Sequence, residues 1–151
     1  TSPGSQLRGA TVVAVDGNAQ RLQRLQTGLE ARELRVVGFP SVAEALESVK
    51  AVKPDVMIIS TQLPRGGAFD LCRRVRESGL RRHLPVLFLS ADCSLEERSQ
   101  GLMAGGDDFV RLPYDPGELA GRIRGHLLRH SMMKDLLTPK RAPSVPRKSR
   151  A

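Results

Sequence analysis

The 151-residue sequence has no tryptophan, one tyrosine and four phenylalanines. That scarcity argues against a nucleic-acid platform built on stacked aromatic side chains. Its two cysteines, Cys72 and Cys93, are too few for a disulfide framework and lack metal-ligand spacing. Two unpaired thiols suit a reducing compartment. No apolar run approaches the roughly 18 residues of a membrane helix, and no signal peptide opens the chain. The expected location is the cytoplasm, without a membrane partner. What is present is 40% hydrophobic and 26% charged residues, the balance of a soluble globular domain with a real core. The net charge of +8 is uneven. From Lys134 onward six Lys or Arg face the single acid Asp135, which leaves +3 for the body.

Short apolar runs alternate with helical patterns along the body. Ala10–Val15, Leu34–Phe39, Asp55–Ile59, Pro85–Leu89 and Phe109–Val110 read as buried strands. Asn18 is placed to cap a helix bearing Leu22, Leu25 and Leu29, and Ser41 with Glu44 forms a capping box before Ala45, Leu46 and Val49. A third helix covers Phe69–Glu77, with Leu71 and Val75 inward and Arg73, Arg74 and Arg76 outward. Ser94 and Glu97 form a second capping box, and Asp115 with Pro116 and Glu118 opens the last helix, whose stripe is Leu119, Ile123 and Leu127. Five alternations with short connections predict an α/β fold: a doubly wound, five-stranded parallel sheet with five flanking helices. The expected division is a flexible lead-in at 1–9, a domain at 10–130, a helix extension at 131–137 and a basic, proline-rich tail or linker at 138–151.

In such a sheet, chemistry sits at the carboxyl ends of the strands. The stretch Pro54–Pro64, PDVMIISTQLP, ends its strand there on Ser60. This stretch, together with LPVLFLSA, GLMAGGDDFV and LPYDPGEL, resembles in order and spacing the receiver domain of bacterial response regulators, a flavodoxin-like fold. The resemblance covers about 120 residues, from Thr11 to Arg129. It implies a site in which paired acids and an acceptor Asp hold Mg²⁺, the acceptor takes a phosphoryl group from a kinase histidine, a Lys pairs with that group, and a Ser or Thr hydroxyl donates to it.

The chain departs from this pattern at three places. The paired acids read Asp16-Gly17, the acceptor position is Ser60 and the Lys position before Pro113 is Leu112, so Asp16 and Ser90 alone match. Mg²⁺ requires near-octahedral oxygen ligation, and carboxylate charge does most of the holding. A serine without an adjacent base is a poor nucleophile, and Leu112 brings no positive charge to a phosphoryl group. The expectation is a degenerate pseudo-receiver with no catalytic residue, no cofactor, and Mg²⁺ binding lost or very weak. It would act as a phosphorylation-independent protein–protein interaction module in two-component-type signalling or localisation. Two alternatives remain open: a DNA-associated regulator using the basic tail, and a receiver still phosphorylated at a non-standard residue such as Ser60, exposed at a strand end.

The resemblance also implies a switch and interaction face formed by the fourth helix, fifth strand and fifth helix. Its candidates are Phe109, Arg98, Arg111, Tyr114, Arg122 and Arg124, the arginines being placed to pair with acids there, and its expected partner is another signalling protein or a second copy of the chain. Met132, Met133, Leu136 and Leu137 extend the last helix with an apolar patch. His126 and His130, four apart, have metal-compatible spacing but no acid nearby in sequence, so no metal site is expected. Cys72 reads as core filling.

Overall fold

The computed structural model describes residues 9–79 and 83–137, so the expectations for the tail and most of the lead-in lie outside the described residues. The elements follow in the order β1 (Thr11–Val15), α1 (Ala19–Glu30), β2 (Arg35–Phe39), α2 (Val42–Val52), β3 (Val56–Ser60), α3 (Gly67–Ser78), β4 (Val86–Ser90), α4 (Leu95–Met103), β5 (Asp108–Arg111) and α5 (Pro116–Leu137), with a 3-10 turn at Pro64–Gly66 before α3. The helix starts are fixed by side-chain oxygens accepting backbone N–H groups. Asn18 accepts from Arg21, Ser41 from Glu44, Ser94 from Glu97 and Asp115 from Glu118. These are the four caps expected from the sequence. The third helix begins two residues earlier than expected, at Gly67, directly off the Pro64–Gly66 turn.

All strand pairs are parallel, in the order β2-β1-β3-β4-β5. The interior strands are buried on both faces, and the pleat sends alternate residues to opposite layers. Val56 and Ile58 pack with Leu25, Leu29, Leu119, Ile123 and Leu127 of α1 and α5. Met57 and Ile59 pack with Ala45, Val49, Leu71, Cys72 and Val75 of α2 and α3. Each buried Val, Leu, Ile or Met among these contributes roughly 1.5–3 kcal/mol, so the central strands anchor both layers. Cys72 is fully buried in the second layer, and burial, the largest influence, pushes its thiol up to about 11. A thiol held protonated in this way is core filling, not a reactive group.

Arg76 departs from the expected outward placement. Its guanidinium turns in to donate to the carbonyls of Gly105 (2.6 and 3.0 Å) and Leu84 (2.5 Å), and it pairs with Asp107 at 3.0 Å. Three separate acceptors satisfy its fork, so it ties the end of α3 to the loops entering β4 and β5. The strand order reverses between β1 and β3, and that switch point opens a crevice at their carboxyl ends. Val15 is registered with Ile59, so Asp16 and Ser60 follow side by side at the mouth.

Candidate functional site

The crevice collects Asp16 from the end of β1, Ser60 from the end of β3, Ser90 from the end of β4, and Leu112 just past β5. Asp16 is 6% exposed, a level at which an ionised carboxylate requires partners. Its partner is Arg21, in the first turn of α1. Nε donates to Oδ2 and Nη2 to Oδ1, both at 2.8 Å, and the Asn18 backbone N–H adds a third bond to Oδ1 at 2.9 Å. This is the two-pronged guanidinium–carboxylate geometry, among the stronger charge-assisted arrangements. Those hydrogen bonds hold the Arg21 guanidinium above its ordinary range, with burial opposing. The sequence pattern assigns Asp16 no partner and does not single out Arg21. The available signal was a lone Arg in a first helical turn that contains no acid, a placement the helix dipole disfavours unless something compensates it.

Ser60 is 2% exposed. Its Oγ accepts the Gln62 backbone N–H at 3.1 Å, a local side-chain-to-backbone turn of the kind serine forms readily. The expectation of a strand-end hydroxyl exposed to an external kinase is therefore corrected: the last residue of β3 remains inside the layer. Ser90 is fully buried and registered opposite Arg111. Its Oγ accepts from the N–H groups of Asp92 (3.1 Å) and Cys93 (2.9 Å) and donates to Glu97 of α4. In a reciprocal capping box the Glu97 carboxylate would reach back to Ser94; here it reaches the end of β4 and fastens α4 to the sheet. Leu112 and Tyr114 pack against the α1/α5 layer, and the Leu112–Pro113 peptide is cis. Burial pushes the Tyr114 phenol up, Arg24 opposing and Asp16 adding.

A divalent cation does not fit these residues. The guanidinium already engages both oxygens of Asp16, and the Glu97 carboxylate is taken up by the Ser90 hydroxyl. No group of three His, Cys, Asp or Glu side chains among the described residues is placed to hold a metal ion. No buried side-chain N or O among them lacks a hydrogen-bond partner.

The neighbouring face combines packing with charge. Phe109 lies over Phe88 with ring centroids 5.1 Å apart, and its ring fills the space above Gly101 of α4. The arginines do not act as one group. Arg122 donates to both Asp108 oxygens at 3.1 and 3.2 Å and approaches Glu118 at 3.8 Å, whereas Arg98 and Arg111 are exposed. Arg124 turns away and donates to the Arg32 carbonyl beyond α1, so it leaves the candidate set. His126 does have an acid beside it, Asp108 at 3.0 Å, brought from β5 across 18 residues of sequence. Exposed apolar side chains stand out on two helices. Leu95, Leu102 and Met103 of α4 are 75, 74 and 85% exposed, and Met132, Met133 and Leu136 of α5 are 57, 57 and 81% exposed. No helix among the described residues is long and apolar enough to cross a membrane.

Residues 12–124 match the profile of the response regulator receiver domain. The chain is 35% identical over 118 residues to Response regulator MprA of Mycobacterium leprae, a match covering 78% of this chain and 51% of that protein. It is 30% identical over 130 residues to Transcriptional regulatory protein YvrH of Bacillus subtilis, covering 85% and 54% respectively. The chain thus spans about half the length of the curated relatives it matches. Among solved structures, the receiver domain of Francisella response regulator 1452 superposes with a TM-score of 0.72 at 26% identity, over 80% of this chain and 98% of that one.

Proposed function

The chain belongs to the response regulator receiver family, and we propose that within it this chain is a pseudo-receiver, a two-component-type signalling domain that works without phosphorylation as a protein–protein interaction module. The observation that carries this reading is a crevice whose polar groups are all bonded internally: Asp16 by Arg21, Ser60 by the Gln62 N–H, and Ser90 by Glu97 and two backbone N–H groups. Phosphoryl transfer is catalysed almost entirely by positioning and fixed charge. Here a buried hydroxyl stands at the acceptor position and half-buried Leu112 packs against the α1/α5 core layer. No catalytic residue is assigned.

The partner in this reading is another signalling protein or a second copy, bound at the face of α4, β5 and α5. Exposed Leu95, Leu102 and Met103 beside exposed Arg98 and Arg111 supply apolar contact area with a cationic rim. The Ser90–Glu97 bond fastens the start of α4 to β4, and Phe109 packs over Gly101, so both hold the elements of that face together. Incubation with acetyl phosphate and Mg²⁺, followed by intact mass measurement, tests the reading. The expected spectrum shows the unmodified chain alone, and a stable adduct of about 80 Da would overturn it.

A further inference from the structure

We infer that Arg21 is a tethered cation that excludes divalent metal from the mouth of the sheet. On this account Arg21, and not only the missing acids, sets what the crevice accepts. The inference deepens the pseudo-receiver reading and rests on it. Three observations support it. Arg21 uses both Nε and Nη2 on Asp16, at 2.8 Å each, so neither carboxylate oxygen faces the crevice without a cationic donor. Arg21 is also the first-turn basic residue of a helix with no first-turn acid, an orientation unfavourable to its own helix dipole that the Asp16 contact offsets. Finally, Arg21 is held by a cap whose side chain bonds its backbone: Asn18 Oδ1 accepts the Arg21 N–H at 2.8 Å, which fixes where the guanidinium starts.

The competition between a free ion and this guanidinium is unequal. Mg²⁺ must shed water to reach a carboxylate, whereas Arg21 is attached five residues away and meets Asp16 at a high effective concentration. Its charge further repels any cation that approaches the same oxygens. Restoring carboxylates alone would therefore leave the site closed. Steric hindrance is not the cause at position 17. A Cβ on Gly17 would find its nearest atoms at 3.7 Å (Pro40 O) and 3.9 Å (Leu63 Cδ2), which is ordinary contact, so the backbone there has room for the first carbon of a side chain.

The test uses the full chain in two forms, Gly17→Asp/Ser60→Asp with Arg21 kept and the same pair with Arg21→Gln. Mn²⁺ binding is followed by electron paramagnetic resonance, with Mg²⁺ as competitor. The triple variant is expected to bind Mn²⁺ at least about tenfold more tightly than the pair, and to gain thermal stability with added Mg²⁺ that the pair does not gain. Should the crowded carboxylates prevent folding, Ser60→Asp with and without Arg21→Gln gives the same comparison with one acid fewer. Equal affinity with and without Arg21 would overturn the inference and leave the phosphorylation-independent reading standing. Saturable Mg²⁺ binding by the wild-type chain would overturn both.

Discussion

Replacing Arg21 by alanine is expected to destabilise the fold by about 2–3 kcal/mol, read as a lower urea midpoint at unchanged slope. The reason lies in its partner. The Asp16 side chain is 8% exposed and would keep only the Asn18 N–H, whereas the lost Arg21 side chain is 33% exposed. An uncompensated buried carboxylate is costly, while removing both charges together is far milder. Asp16→Asn/Arg21→Gln should therefore recover most of the loss. An Arg21→Ala variant within about 0.5 kcal/mol of wild type, the ordinary range for a surface change, would show that the pair does not hold the crevice.

The second large effect lies at the entry to β5. A methyl group on Gly106 would stand 2.3 Å from Phe88 Cε2 and 3.0 Å from Cδ2. Phe88 is fully buried, edge-on to Phe69 with centroids 5.1 Å apart and tilted against Phe109 at the same spacing. It has no direction in which to move, so Gly106→Ala is expected to cost about 2–3 kcal/mol by overpacking, measurable by thermal melting. Gly101→Ala makes a useful contrast. Its Cβ would meet Phe109 Cε1 at 2.4 Å and Phe88 Cε2 at 3.2 Å, so the closest clash falls on the half-buried ring, not on the fully buried one. That variant should lose less stability and alter the α4–β5–α5 face instead. An equal loss at the two positions would contradict the difference in burial.

These cases mark what the sequence made legible. Strands, caps and layer order follow from local chemistry: β-branched runs such as Val56–Ile59, and oxygen-bearing residues such as Asn18 and Ser41 in front of apolar periodicity. Ser60 could be named because it ends a strand, and Asp16, Ser90 and Leu112 because the resemblance to receiver domains assigns functions to their positions. Their bonding could not. Arg21 reaches Asp16 backward across a cap, a five-residue spacing outside the helical i,i+3 and i,i+4 pairings. Glu97 matched a capping box and yet bonds Ser90 instead of closing it. Asp108 meets Arg122 and His126 from a strand, and Arg76 meets Asp107 from a loop, through tertiary contacts that sequence spacing does not reveal. Arg124 pairs with the Arg32 carbonyl instead of an acid for the same reason, since one helix carries both Arg122 and Arg124 and only the packing of α5 decides which faces β5.

The central claim is that the α4–β5–α5 face does not respond to the crevice. Amide NMR of the labelled full chain, titrated with Mg²⁺ and the phosphoryl mimic beryllium fluoride, tests it most directly. The account predicts that the amide signals of Ser90, Phe109 and Arg111 stay in place throughout. Saturable shifts at those residues would contradict it.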